Sequence, residues 1–320
     1  MIKVLYAGSP EAARITLEKL LDSQNACGFE IVGVLSNPPS AKGRHKDLIP
    51  TPVAAYAIEK GLPVFTPEHL DSLARDDIRP LKADLLVCFA YGHIFGPKFL
   101  ELFPLGGINL HPSLLPKYRG CTPVPAAILN RDSQTAVTIQ TLGLKMDEGD
   151  ILAQTIVELN GSETGESLLN YSAEEGARLI SELLSETSKN GRLPAGKSQT
   201  GEASYTGIIK KEDGKINWSE SALITEAKIR AYYPEPGCCC LENAVTLRIL
   251  EARLFTGECE NNTENTIPGT VLAFSKSDGI LIKTGDGILA VRKLQRQGKN
   301  AMDYKSFMNG ARNFIGTVLE

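Results

Sequence analysis

Over its first 190 residues the chain alternates short apolar runs with segments that have helical spacing. The apolar runs predict strands at residues 2–8, 30–36, 83–92 and 106–111. Between the first two strands, the spacing of Leu17 and Leu21 predicts a helix over residues 9–23, with Ser9 as a suitable N-cap and Pro10 as its first residue. Runs that are apolar at every position are typical of strands buried on both faces. This half of the chain therefore predicts an open, mostly parallel α/β sheet.

A change in sequence texture predicts a second domain. A predicted helix at about 164–189 ends the α/β pattern, and residues 190–207 are rich in Gly, Ser, Lys and Pro, which is typical of a linker. Beyond the linker, short alternating strands separated by turns predict a small β-barrel of Greek-key type. The predicted fold class is α/β: an open, mostly parallel, Rossmann-like sheet domain at 1–189, followed by a small OB-like β-barrel domain at 208–320.

The composition is that of an ordinary globular protein. The 320 residues are 42% hydrophobic and 22% charged, and the net charge of -4 makes no general case for nucleic-acid binding. Seven cysteines without CxxC spacing and only four histidines predict no metal site, and free thiols fit a reducing cytosol. No apolar run approaches the ~18 residues of a membrane helix, and the amino terminus already has the pattern of a core strand. We therefore expect a cytoplasmic protein without a membrane partner; the oligomeric state is open, with a monomer favoured.

The stretch GGINLHPSLLPKYRG, residues 106–120, places two polar side chains at the end of a predicted core strand. Asn109 and His111 are two residues apart in the chain, so on a strand their side chains project to the same face. Ligands of such sheets bind outside the carboxyl ends of the strands, where an amide can hold a carbonyl oxygen and an imidazole can donate a proton. The pair suits acyl-type chemistry through an oxyanion. A polar pair that merely caps a strand is the competing interpretation.

The segment GLKMDEGDIL supplies a candidate third group, Asp147. It lies between two predicted strands, and we expect its loop at the same edge of the sheet as His111. A carboxylate there would raise the pKa of the imidazole and order a water for proton transfer. Asp150 competes for this role, and a solvated acidic turn is the alternative to both.

Three further stretches could bind ligands. The apolar turn Ser113–Pro116 could clasp a flat heteroaromatic group. The loop PPSAKGRHKDLIPTP and the segment RKLQRQGK could contact a phosphate backbone, with a solvated surface as the alternative. Their lysines and arginines are Lys42, Arg44, Lys46, Arg292, Lys293, Arg296 and Lys299. Only one glycine, Gly8, follows the first strand, so the three-glycine dinucleotide fingerprint is missing and a nicotinamide dehydrogenase is disfavoured.

Taken together, INLHPSLLPKYRG and KMDEGDIL resemble the motifs of the folate-dependent formyltransferases, and the resemblance runs over nearly the whole chain. It includes YAGSPEAA, GLPVF, AYGHI and YTGIIKKEDGKINW. The resemblance implies that 10-formyltetrahydrofolate donates a formyl group to the α-amino group of methionine on initiator tRNA. No metal is implied, because transfer from an amide to an amine needs only positioning, an oxyanion partner and a proton path.

The resemblance also implies roles for particular residues. Asn109 would orient the formyl carbonyl, His111 would stabilise the oxyanion, and Asp147 would tune His111 and shuttle the amine proton. Two segments would bind folate, with residues Ser113, Leu114, Leu115, Pro116, Ala90, Tyr91, Gly92, His93 and Ile94. The loop with Lys42, Arg44 and Lys46 would grip the acceptor end of the tRNA, and the C-terminal barrel with Arg292, Lys293 and Arg296 would hold its flank.

The chain departs from the family pattern just after INLHPSLLPKYRG, where the segment CTPVPAAI has Pro125 at a position at which the family usually has an amide side chain.

Three alternatives to the implied reaction stay open. The same site could formylate another amine, such as that of a sugar nucleotide or of glycinamide ribonucleotide. Water could replace the amine, as in a hydrolase. The chain could also be a non-catalytic tRNA-binding protein, which intact Asn109, His111 and Asp147 oppose.

Overall fold

The computed structural model describes residues 1–42, 47–259, 261, 265–311 and 313–320. The chain folds into two compact units. The first unit comprises Met1–Pro123, Gln134–Glu158 and Leu169–Gly207, and the second comprises Val124–Ser133, Leu159–Leu168 and Ile208–Glu320. Residues 190–207, predicted as a linker, belong to the first unit.

The regular elements up to residue 207 are, in chain order, β1 (Ile2–Gly8), α1 (Glu11–Cys27), β2 (Phe29–Leu35), β3 (Ser40–Lys42), β4 (Asp47–Ile49), α2 (Pro52–Glu59), β5 (Val64–Phe65), α3 (Ser72–Ile78), β6 (Leu85–Phe89), α4 (Pro97–Leu100), β7 (Gly107–His111), β8 (Arg119–Gly120), α5 (Pro123–Leu129), β9 (Gln134–Thr141), β10 (Ile151–Glu158), α6 (Gly165–Asn190) and β11 (Tyr205–Thr206). A 3₁₀ turn, Arg79–Leu81, follows α3.

The first unit is built on a seven-stranded sheet with the order β10-β9-β7-β6-β1-β2-β5. The strands from β7 to β5 pair in parallel, whereas β9 and β10 are antiparallel. The prediction of a mostly parallel sheet is therefore confirmed. The chain moves outward from β1 through β2 to β5 and then returns to the other side of β1, so the carboxyl ends of β1 and β6 flank the topological switch point. Sheets of this kind bind ligands there.

Alternate residues of the strands enter two separate apolar layers, one on each face of the sheet. Val4, Tyr6, Ile108 and Leu110 pack with α1 and α6. Leu5, Ala7 and Cys88 pack on the opposite face with the aromatic side chains of residues 91–103. Helix α6 approaches the sheet closely at Gly176, where a Cβ would lie 1.9 Å from Cδ1 of Leu110. This approach requires glycine in the interior of a helix that otherwise disfavours it.

The start of the first helix differs from its prediction. Helix α1 begins at Glu11, and its N-cap is Pro10, which has no side-chain cap. The hydroxyl of Ser9 instead accepts a hydrogen bond from the Asn37 backbone N–H at 3.1 Å and lies 3.4 Å from the Ser36 hydroxyl. The prediction of Ser9 as N-cap was wrong because its side chain turns toward the end of β2.

The second unit contains helices α7 (Ala222–Ala231) and α8 (Tyr304–Gly310) and strands β12 (Cys238–Glu242), β13 (Val245–Phe255), β14 (Val271–Ser275), β15 (Gly279–Lys283), β16 (Ile288–Arg296) and β17 (Met302–Asp303). The main order β12-β13-β16-β15-β14 is antiparallel throughout, and β17 pairs with β16. The last residues contact both outer strands, since Glu320 exchanges backbone hydrogen bonds with Leu241 and Thr317 accepts one from Val271. Among the described residues, no helix has the length and apolar character needed to cross a membrane.

Candidate active site

The polar pair of the motif lies at the carboxyl end of β7. Ile108 and Leu110 enter the layer that packs on α1 and α6, so Asn109 and His111 project to the opposite face. Cys88 lies beside Asn109 in the register of the neighbouring strand β6. Burial raises the pKa of the Cys88 thiol to about 12, so it is a neutral neighbour of the site.

His111 is held by both ring nitrogens. Nε2 lies 2.9 Å from the Tyr118 carbonyl oxygen, and because a carbonyl can only accept, Nε2 carries the proton. Nδ1 faces Oδ1 of Asp147 at 3.6 Å. The side chain is only 4% exposed, and this burial lowers the pKa of His111 below its ordinary 6.5, although the Asp147 carboxylate and the Tyr118 carbonyl act in the opposite direction. The carboxylate thus acts on the imidazole pKa in the expected direction, but desolvation outweighs it.

Asp147 reaches the site by an unexpected route. Strand β9 runs antiparallel to β7, and its last residue, Thr141, pairs with Ile108. The following loop therefore leaves near the amino-terminal part of β7, not at its carboxyl end as predicted, and folds back so that the carboxylate meets Asn109 and His111. Asp147 adopts the left-handed region with φ 53°, which is uncommon for a residue with a side chain.

The Asp147 carboxylate has several donors. Oδ1 accepts from Gln140 Nε2 at 2.8 Å and lies 3.4 Å from Asn109 Nδ2, while Oδ2 accepts from the Gly120 backbone N–H at 2.8 Å. The rival Asp150 is exposed and accepts a hydrogen bond from the Ser198 hydroxyl. The structure thus brings Asp147, and not Asp150, to His111.

Sequence reasoning missed two residues of this cluster, Gln140 and Gln199. Gln140 lies directly opposite Asn109 in the pairing of β7 with β9, so the alternation of the two strands could have found it. Gln199 comes from the stretch predicted as a linker, where no periodicity marks it. Its amide contacts Asp147 and Arg119, described below.

The turn after β7 uses its polar atoms internally. Ser113 is fully buried, donates from its hydroxyl to the Lys117 carbonyl at 2.7 Å, and accepts at its own carbonyl from the Thr138 hydroxyl at 2.7 Å. Leu115 is buried, whereas Leu114 and Pro116 are half-buried. The turn is therefore a fixed edge that presents apolar side chains.

The segment AYGHI follows β6 at the switch point. Ala90 and Gly92 both have positive φ, and Ala90, Gly92, His93 and Ile94 are exposed. Tyr91 is buried, its carbonyl accepts from Asn37 Nδ2 at 3.1 Å, and its ring stacks on Phe95. Within the described part of the chain, the Tyr91 hydroxyl and the Asn37 side-chain oxygen have no hydrogen-bond partner. Buried polar atoms of this kind leave hydrogen-bonding capacity for a ligand.

The predicted phosphate-binding residues differ in their hydrogen-bond partners and in their exposure. Lys42 ends β3, whereas Arg44 and Lys46 lie outside the described residues. In the second unit, Arg296 forms a two-pronged ion pair with Glu242, both distances being 2.6 Å. Arg292 donates to the Asp278 carbonyl at 3.1 Å, and only Lys293 of the three is exposed. No group of three or more potential metal ligands occurs among residues the structure describes.

Comparison with known proteins agrees with this geometry. Residues 2–184 match the family described as "Formyl transferase", and residues 208–312 match "Formyl transferase, C-terminal domain". The chain therefore belongs to the formyltransferase family. Among its relatives, a protein of Treponema denticola is 44% identical over 98% of both chains, and one of Borrelia duttonii is 35% identical over 99% of both; each is named "Methionyl-tRNA formyltransferase".

Solved structures share the fold. A methionyl-tRNA formyltransferase from Clostridium thermocellum has a TM-score of 0.56 at 16% identity, over 81% of this chain and 96% of its own. The sugar 3N-formyl transferase WlaRD, solved with dTDP and 5-N-formyl-THF, has a TM-score of 0.63 at 20% identity, over 94% of this chain and 99% of its own.

Proposed function

We propose that this protein transfers the formyl group of 10-formyltetrahydrofolate to the α-amino group of methionyl-initiator-tRNA. The observation that carries the proposal is the convergence of Asn109, His111 and Asp147 at the carboxyl end of β7. High identity over the full length to relatives named for this reaction supports the same substrate pair. The reaction belongs in the cytoplasm, where initiator tRNA is used.

The three residues divide the work of the reaction. Asn109 donates a hydrogen bond that orients the formyl oxygen. His111 presents Nδ1 toward the reacting groups, because Nε2 is held by the Tyr118 carbonyl. Burial favours the neutral ring, so Nδ1 takes up a proton before the ring stabilises negative charge on the formyl oxygen. Asp147 accepts the proton that the amine loses as its nitrogen bonds to the formyl carbon. The bond from that carbon to N10 then breaks, and the proton held by Asp147 passes to N10, which restores the carboxylate.

The folate would lie along the carboxyl edge of the sheet, between two segments. Leu114, Leu115 and Pro116 offer an apolar edge for a flat ring. On the other side, the exposed residues Ala90, Gly92 and His93 and the unpartnered side-chain oxygen of Asn37 offer hydrogen bonds to a pterin. The donor set therefore fits a folate, and a folate analogue occupies the structurally similar WlaRD.

We further propose that residues 1–189 form the catalytic domain, that 190–207 connect it to the second domain, and that 208–320 form an OB-like barrel which binds tRNA. Backbone hydrogen bonds of the last residues to both β12 and β14 support a closed sheet. Exposed Lys293, together with the loop that carries Lys42, Arg44 and Lys46, would contact phosphates. The bidentate pairing of Arg296 makes it the weaker candidate for that contact.

The proposal is tested with purified protein and 10-formyltetrahydrofolate. The acceptors are charged initiator methionyl-tRNA, charged elongator methionyl-tRNA and a dTDP-linked amino sugar. Formyl transfer confined to the initiator tRNA is the expected result. Transfer to the sugar, or release of formate without an acceptor, would assign the site to one of the other reactions. Absence of any turnover with measurable tRNA binding would contradict catalysis altogether.

A further inference from the structure

The loop that carries Asp147 is clasped by two glutamine side chains. Gln140 comes from β9 and is only 1% exposed, and its Nε2 donates to Asp147 Oδ1 at 2.8 Å. This is the shortest contact of Oδ1 among those described, since Asn109 lies at 3.4 Å and His111 at 3.6 Å. Gln140 therefore fixes the direction in which the carboxylate points.

Gln199 holds the backbone of the same loop. Its Nε2 donates to the carbonyl oxygens of Asp147 and Gly149 at 2.8 Å each, and it lies 3.2 Å from the side-chain oxygen of Gln140. One amide thus bridges the two ends of a three-residue turn and also orients the other glutamine. The turn contains Asp147 at φ 53°, a conformation that the chain adopts only where its surroundings hold it.

Arg119 anchors the clasp from the other side. Its Nε and Nη2 donate to the Gln199 side-chain oxygen at 3.1 and 2.8 Å, which fixes the orientation of the amide. Arg119 is itself paired with Glu148 and with the Tyr205 hydroxyl. The next residue, Gly120, donates its backbone N–H to Asp147 Oδ2 at 2.8 Å. Both carboxylate oxygens are therefore bound within one connected network.

We propose that Gln199 and Gln140 are positioning residues for Asp147: they act on catalysis by holding its carboxylate, and they do not themselves touch the reacting atoms. This rests on the proposed function, in which Asp147 accepts the amine proton. A carboxylate free to rotate would lose its alignment with the amine or move onto His111. A displacement of about 1 Å can cost about 100-fold in rate, so a hydrogen-bonded clasp of this kind has a measurable effect on turnover.

The test replaces each glutamine by methionine, which keeps the length of the side chain and removes the amide. For Gln199→Met and Gln140→Met we expect kcat to fall about 10- to 100-fold, with the KM values of both substrates within about twofold of the original. Gln24→Met is the matched control. Gln24 is half-buried in the same unit and accepts from the Ile31 backbone N–H at 3.1 Å, outside the site, so its loss should leave kcat unchanged.

Double variants distinguish an effect on the position of Asp147 from a general disturbance of the structure. If the glutamines act through Asp147, then adding Gln199→Met or Gln140→Met to Asp147→Asn should lower kcat no further. A further tenfold loss in that background, or normal kcat in the single variants, would overturn the proposal. Melting temperatures of all variants show whether a lost activity reflects unfolding. If the unaltered protein transfers no formyl group, the proposed function fails first, and that result is distinct from a failure of the clasp.

Discussion

The acidic loop at residues 142–150 and the basic strand β16 are two of the charged regions that the sequence offers for function, and their charged side chains have opposite surroundings. In the loop, Asp147 turns inward and is held by uncharged donors, the Gln140 amide and the Gly120 backbone N–H. In β16, Arg296 is neutralised by Glu242 and Arg292 donates to a backbone carbonyl.

The difference shows that charge counted along a sequence is not the charge that a surface presents. Uncharged donors do not offset the negative charge of a carboxylate, so the charge of Asp147 acts on its neighbour His111. An arginine matched by a carboxylate contributes packing and order instead. Of the three basic residues on β16, Lys293 alone is exposed, so the positive charge that this strand presents to solvent comes mainly from that residue.

The largest expected effect separates the two acidic residues of the loop. Asp147→Asn keeps the size of the side chain and removes the proton acceptor, so we expect kcat to fall about 10²- to 10⁴-fold. Asp150→Asn, in which the changed side chain contacts Ser198 away from His111, should stay within about threefold. Steady-state formyl transfer by both variants measures the comparison. Equal losses of kcat in the two variants would show that contact with His111 does not distinguish the role of Asp147 from that of Asp150.

A smaller effect tests the paired arginine of β16. Arg296→Ala leaves the nearly buried Glu242 carboxylate without its partner, so we expect a loss of about 1–3 kcal/mol in the free energy of unfolding. Lys293→Ala on the same strand should change it by less than about 0.5 kcal/mol, because this side chain is exposed. Urea unfolding of both variants gives the two values. Similar values would contradict a structural role for the ion pair.

The smallest effect concerns pH. Burial lowers the pKa of His111 from 6.5, so below pH 6.5 the unfolded chain binds a proton that the folded chain does not. The free energy of unfolding therefore falls as the pH drops from 6.5 through the folded-state pKa, by at most about 1.4 kcal/mol per pH unit. His111→Gln should have a shallower slope in urea titrations between pH 7 and 5. An identical slope would mean that His111 titrates alike in both states.

Much of the fold follows from local pattern. The continuous apolar runs at 2–8 and 106–111 became β1 and β7, and the helix predicted at 164–189 became α6 within one residue at each end. Element bounds were less accurate where side chains had other partners, as at Ser9. The prediction of an OB-like barrel in the second unit stays a prediction, as do the domain boundaries and the monomeric state.

For the site, the sequence named Asn109, His111 and Asp147, and the structure places the three together. It did not find Gln140, which alternation marks only once β9 is paired opposite Asn109, or Gln199, because a glutamine in a turn-rich stretch carries no sequence signal of its own. It also assigned the Asp147 loop to the wrong end of the strand, since strand direction in β9 is decided by long-range pairing. Roles for these residues rest on the experiments above.

The sequence by itself determined the parallel core, the polar pair at the end of β7 and the motifs of a formyltransferase, because alternation, apolar runs and motif spacing are local properties of the chain. Only the tertiary structure decided the electrostatics. Whether His111 gains or loses a proton depends on how deeply it is buried, and whether an arginine is available depends on which acid the fold places beside it. Both are set by contacts between residues far apart in the chain, such as Arg296 with Glu242, which no local pattern encodes.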